Sequence, residues 1–178
     1  MAEAERMLAE SEVLFTAQQV EAAVGRLAVE ITARLAGEFP VVLSVMGGAA
    51  VFTGQLLPRL AFPLEFGAIE VTRYNNDIQG REISWRLPPK DNVRGRTVLV
   101  VDDILDEGIT LAAVRQTLLA MGASRVLAAV FADKALGREK PIAADFVGVT
   151  VPNRYVFGFG MDAYGLWRNL PAIHALKE

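Results

Sequence analysis

The stretch from Thr97 to Thr110, TVLVVDDILDEGIT, constrains this chain more than any other. Thr97 to Val101 are all β-branched or Leu, the composition of a strand buried on both faces. Asp102, Asp103 and Asp106 follow at once, with Glu107 a fourth carboxylate, and then Gly108 and Thr110. Leu111 to Met121 reads as an amphipathic helix closed by Gly122. A buried strand, an acidic turn and a helix start thus fall in immediate succession. In an open α/β sheet, ligands bind outside the carboxyl ends of such strands.

The residue types suggest the ligand. After Asp106 the N–H groups of Glu107 to Thr110 are expected to lack helical acceptors and to lie at the positive end of a helix dipole. Such amides suit a phosphate; Gly108 lets the chain curl around it, and the Thr110 hydroxyl can donate as well. Ionised Asp102 and Asp103 only accept, which suits sugar hydroxyls or a magnesium ion. Together these features describe a ribose 5-phosphate site. They also describe an acidic surface loop capping a helix, and spacing alone leaves both open.

VVDDILDEGIT resembles the phosphoribosyl-diphosphate (PRPP) binding motif of the type I phosphoribosyltransferases. That motif is a hydrophobic strand, two acidic residues, two apolar residues, then Asp, a variable residue, Gly, a variable residue and Thr. The likeness to the purine enzymes of the family, the hypoxanthine-guanine phosphoribosyltransferases, runs from about Ser11 to Leu170. Glu107 departs from it, standing where those enzymes often carry Thr or Ser. Its backbone N–H, not its carboxylate, is expected to face the phosphate.

Chain length and a 52% hydrophobic content allow one sizeable core, and the net charge of −3, with no Lys/Arg cluster, argues against a nucleic-acid surface. The absence of cysteine fits a reducing cytosol, and MAEAERMLAE lacks the basic and apolar regions of a signal peptide. Phe39 to Pro58 is uncharged and long enough to span a bilayer. Pro40, Ser44, Gly47-Gly48, Thr53, Gln55 and Pro58 interrupt it, so strand, loop and helix are expected instead. A cytoplasmic chain without a membrane partner follows.

Along the rest of the chain, residues 1–10 read as a loose or short helical lead and Glu12 to Phe15 as a short strand. Thr16 opens a helix with Gln19 completing a capping box, and Val20, Val24, Leu27, Ile31 and Leu35 fall on one face. Val41 to Met46 is a buried strand, Ala49 to Leu57 a helix, and Leu64 to Thr72 a strand. A polar stretch from Arg73 through Arg81 follows, then Ile83 and Trp85 alternate before Pro88-Pro89. Arg125 to Ala132 and Ala144 to Val151 are further strands. Strands alternating with helices give an α/β class with a twisted, mostly parallel sheet and an antiparallel edge.

The resemblance implies roles at numbered positions. Asp106 is the catalytic acceptor of a base proton. Asp102, Asp103, Glu107, Gly108, Ile109 and Thr110 hold PRPP, with Met46, Gly47, Gly48 and Arg138 at its diphosphate. Met46 is a second departure, since purine enzymes commonly carry Lys there. Lys134, Tyr155 and the Val156 backbone take the purine, Lys134 offering donors only and so favouring a 6-oxopurine over adenine. Asp102 and Asp162 match magnesium-binding acids, and Arg168 a further family position; Mg²⁺ is the implied cofactor. Arg73 and Tyr74 stand at the root of a mobile loop at about 73–90. The implied fold is one phosphoribosyltransferase domain over 1–178, with a small hood from about 1–15 and about 140–178. The implied reaction is purine salvage: hypoxanthine or guanine plus PRPP gives IMP or GMP and pyrophosphate, in a homodimer or homotetramer. A PRPP-sensing regulator on the same fold, or an enzyme for xanthine, adenine or a pyrimidine, are the alternatives. No GxGxxG follows a first strand, which disfavours a dinucleotide-binding domain. His174, the single histidine, has no assigned role.

Overall fold

The computed structural model describes residues 2–73 and 83–177. A six-stranded sheet runs in the order β4-β3-β2-β5-β6-β7. Its strands are β2 (Val41–Met46), β3 (Glu65–Arg73), β4 (Ile83–Leu87), β5 (Thr97–Leu105), β6 (Arg125–Ala135) and β7 (Phe146–Pro152). All pairings are parallel except that of β4 on β3. A three-stranded antiparallel sheet joins β1 (Ser11–Phe15), β9 (Ile173–Leu176) and β8 (Val156–Phe157). The helices are α1 (Ala2–Ala9), α2 (Ala17–Leu35), α3 (Ala50–Leu56) and α4 (Ile109–Ala120).

The local signals act as expected in α2. Thr16 accepts from the Gln19 N–H while the Gln19 side chain accepts from the Thr16 N–H, which completes the capping box. Val20, Ala23, Val24, Leu27, Ala28, Ile31 and Leu35 then bury one stripe. Fully burying each large member contributes roughly 1.5–3 kcal/mol. The uncharged stretch from Phe39 divides into β2 and α3. Among the described residues no helix is long and apolar enough to cross a membrane.

Period-two alternation divides the large sheet between two cores. Val42, Leu99, Val101, Leu127, Ala129 and Phe131 face α2 and α3, whereas Val41, Leu43, Val98, Val100, Val126 and Val130 face α4. The small sheet is pinned to the first core through Phe159, whose ring lies 4.4 Å from that of Phe131 and 6.4 Å from that of Phe52. Arg154 ties its strands together by donating to Glu12 and to the Leu176 carbonyl.

Several boundaries differ from the sequence reading. β5 does not stop at Val101: it continues through Asp102 and Asp103 to Leu105, because β6 keeps pairing there, with Asp102 opposite Val130 and Leu105 opposite Asp133. α4 starts at Ile109 rather than Leu111. Of the segment about 140–178 expected in the hood, β7 belongs instead to the large sheet, where it pairs with β6. Leu119 is exposed, so the buried face of α4 is Leu111, Val114 and Leu118.

Candidate active site

The carboxyl end of β5 divides two clefts. Asp102 prolongs the face of Val98 and Val100 and lines a cleft of about 190 Å³ with Glu107, Gly108, Ile109 and Thr110. Asp103 prolongs the opposite face and lines a cleft of about 200 Å³ with Lys134, Tyr155, Val156, Met161 and Asp162. Ile104 and Asp106 border both. Adjacent strand residues point oppositely, so two neighbouring aspartates serve two compartments.

In the first cleft, Gly108 is the N-cap of α4, with φ of 81° and no side chain capping the helix. The first helical bond runs from the Ala112 N–H to the Gly108 carbonyl, at 2.9 Å. The amides of Ile109 to Leu111 therefore have no acceptor within the helix, the arrangement that binds anions. The loop over 136–143 walls this bend. A Cβ on Gly108 would stand 3.2 Å from Ile142, the Glu107 carboxylate takes a bond from Arg138 at 3.1 Å, and Lys140 donates to the Leu105 carbonyl at 2.7 Å.

In the second cleft, Lys134 meets Asp106 at 2.6 Å. The ammonium is largely buried, at 13% exposure, while the carboxylate is 45% exposed. Asp162 is held by Arg168 at 2.6 Å and by the Gly165 N–H at 2.7 Å. Arg168 also donates to the Gly160 carbonyl at 2.6 Å and stands 3.9 Å from Asp103. Tyr155 lies against the cleft with its ring stacked on that of Tyr164, and Val156 is buried beside it.

The strand-end glycines close the site from the side of β2. A Cβ on Gly48 would fall 2.0 Å from Asp103 Oδ2, and one on Gly160 would fall 2.1 Å from the Gly48 carbonyl oxygen. Met46 is 38% exposed, and its peptide to Gly47 is cis. Arg73 ends β3, and residues 83–87 of the expected loop are β4, paired with β3; residues 74–82, Tyr74 included, lie outside the described residues. His174 stacks on Phe157 and bonds Ser11, and burial pushes its pKa down.

Burial, together with the charge of Asp103, holds Asp102 well above the usual carboxylate range, and burial raises Asp103 too. A raised native pKa means that the unfolded chain releases its proton first as pH climbs. Stability therefore falls as pH rises from about 4 through the folded pKa, and stays at that lower level above it. Asp102→Asn is expected to raise stability at pH 7 by about 0.5–2 kcal/mol while activity falls. The gain should fade below about pH 4. Thermal unfolding at pH 7 and pH 4 checks this; a gain that persists unchanged at pH 4 would show that charge is not its source.

Two features were invisible in the sequence reading. Lys140, 11% exposed, pairs with Asp133 at 2.5 Å and anchors the loop that walls the α4 bend. The Tyr164 ring was not read at all, because its position depends on a left-handed turn.

A model of the phosphoribosyl transferase domain matches residues 11–164. The chain belongs to that family. Hypoxanthine-guanine phosphoribosyltransferase of Bacillus subtilis is 32% identical over 93% of this chain and 92% of its own length. The hypoxanthine-guanine-xanthine phosphoribosyltransferase of Tritrichomonas foetus is 32% identical over 93% and 91%. Bifunctional TilS/HprT proteins of Listeria are 35% identical over 93% of this chain, which spans only 26% of their length. A crystal structure of a hypoxanthine phosphoribosyltransferase from Staphylococcus aureus superposes with a TM-score of 0.87, at 27% identity and 96% coverage of each chain. The stretch Thr97 to Thr110 occupies the end of β5 and the start of α4, where the two clefts meet.

Proposed function

We propose that this enzyme transfers the phosphoribosyl group of PRPP to hypoxanthine or guanine, giving IMP or GMP and pyrophosphate. The observation that carries the reading is the Lys134–Asp106 pair at 2.6 Å, on the border between an amide-lined cleft and an aromatic-lined one. The 5-phosphate takes the free amides of Ile109 to Leu111 and the Thr110 hydroxyl. The ribose hydroxyls face Asp102 and Asp103, and the diphosphate takes the Met46–Gly48 backbone; Arg138, expected there from the sequence, instead bonds Glu107 beside the α4 bend. The purine lies on Tyr155, its edge against the Val156 backbone.

Lys134 supplies only donors and so matches a 6-oxo group, where the 6-amino group of adenine leaves it unmatched. As the bond from C1 to the diphosphate oxygen breaks, positive charge grows on the ribose ring. Asp102 and Asp103 stabilise it electrostatically in a site of low dielectric constant. Asp106 accepts the proton that a 6-oxopurine sheds when its ring nitrogen bonds to C1.

The donor set suits a magnesium ion carried in by the diphosphate, which needs only one or two protein carboxylates. Asp102, buried beside a like charge, gains most from a cation; Asp162, though bonded to Arg168 and the Gly165 N–H, keeps lone pairs to accept one more partner. When bound, the ion neutralises diphosphate oxygens and improves the leaving group. A cytoplasmic setting fits a chain without cysteine, and exposed Met46, Phe66 and Leu87 supply apolar surface for a homodimer or homotetramer.

The test is nucleotide formation from hypoxanthine, guanine, xanthine and adenine with PRPP and magnesium. Fast turnover with the first two and at least about tenfold slower turnover with adenine is expected, as an unmatched buried donor costs more than 1 kcal/mol. Equal rates with adenine and hypoxanthine would defeat the assignment of the base.

A further inference from the structure

We propose that Tyr164 is a positioning residue for the nucleobase, acting through Tyr155; this rests on the phosphoribosyl-transfer reading above. The two rings lie 5.5 Å apart between centroids and 14° from parallel. The Tyr164 N–H also donates to the Tyr155 phenol oxygen, at 3.4 Å. The lining of the Asp103–Lys134 cleft takes in Tyr155 but not Tyr164. Tyr164 stacks on Tyr155 from outside that lining, and on this proposal the other face of the Tyr155 ring takes a flat ligand. A bound purine becomes the third layer of an aromatic stack.

Core packing does not account for Tyr164. It is 75% exposed, and its φ of 52° is one that an L-residue other than Asn or Asp seldom adopts. A tight turn holds it there: Ala163 and Leu166 exchange N–H to carbonyl bonds at 2.9 and 3.0 Å, and the Gly165 N–H bonds Asp162 at 2.7 Å. The same turn thus sets both Asp162 and the back of the base platform. Tyr155 itself is 43% exposed, at the solvent edge of the small sheet, where an unsupported ring would sample several rotamers. Ordering it before the base arrives removes that cost from binding.

Tyr164→Gly deletes the ring while favouring the left-handed backbone, so the fold is retained. It is expected to raise KM for hypoxanthine or guanine about threefold to tenfold, the range for losing one aromatic pair. KM for PRPP should stay unchanged. Tyr164→Phe keeps the stack and the main-chain bond and should lie within about twofold of the parent enzyme. An unchanged base KM in the glycine variant would overturn the proposal, as would equal rises in both KM values or a phenylalanine variant as weak as the glycine one. Absence of turnover in the parent enzyme would overturn the phosphoribosyl-transfer reading itself, a distinct result.

Discussion

Asparagine at position 106 is expected to lower kcat by about 10²–10⁴-fold, the usual contribution of a positioned acid or base. KM for PRPP should change by less than about threefold, because the amide bend is left intact and acts in ground and transition states alike. Asparagine keeps the volume of Asp106 and one oxygen that can accept from Lys134, but it cannot take the purine proton. It also leaves a 13%-exposed ammonium without its counter-charge, so some weakening of base binding belongs to the same change. Steady-state kinetics with hypoxanthine and PRPP varied in turn decide the matter. A kcat within about twofold of the parent enzyme would remove Asp106 from the chemical step.

Gly160→Ala is expected to be among the most damaging substitutions of a glycine, alongside Gly158→Ala, whose Cβ would stand 2.1 Å from the Ala172 carbonyl oxygen. The φ of 103° at Gly160 excludes an L side chain without strain, and the new Cβ would sit 2.1 Å from the Gly48 carbonyl oxygen, a backbone atom that cannot swing aside. Strain and overpacking each cost about 1–3 kcal/mol, so a loss of about 3 kcal/mol or more is expected. For a chain of this size that lowers Tm by about 6–12 °C. Activity should fall further, since Gly48 and Asp103 abut the same spot. Gly165→Ala is the control: its φ of 83° is also positive, but nothing lies within 4 Å of the added carbon. Its loss should be about 1 kcal/mol. Equal losses in calorimetry would show that backbone conformation, and not the clash, sets the cost.

What the sequence reveals and what it hides divide along a physical line. β2 and α2 were legible because their signals are local: a run of Val and Leu, a Thr–Gln capping pair, an apolar stripe. The end of β5 was not. Asp102 and Asp103 have poor strand propensity, and only pairing with β6, whose residues lie far along the chain, keeps them extended. The helix start after Gly108 was nevertheless legible to within two residues, since a glycine before an apolar helix is itself a local pattern. Lys134 beside Asp106 could be suspected from two strand ends. Lys140 on Asp133 and Tyr164 on Tyr155 could not, because each requires the path of a loop that no periodicity records.

In the small sheet β9, late in the chain, pairs on one side with β1 from its beginning and on the other with β8. On the proposed reading of the site, then, the sugar-phosphate grip at the head of α4 can assemble during synthesis once the loop after β6 has emerged, whereas the nucleobase compartment must wait for β9. A ribosome-tethered chain halted before Ile173 would own one half of the site without the other. It would be able to hold a ribose phosphate and have nowhere to seat the incoming ring.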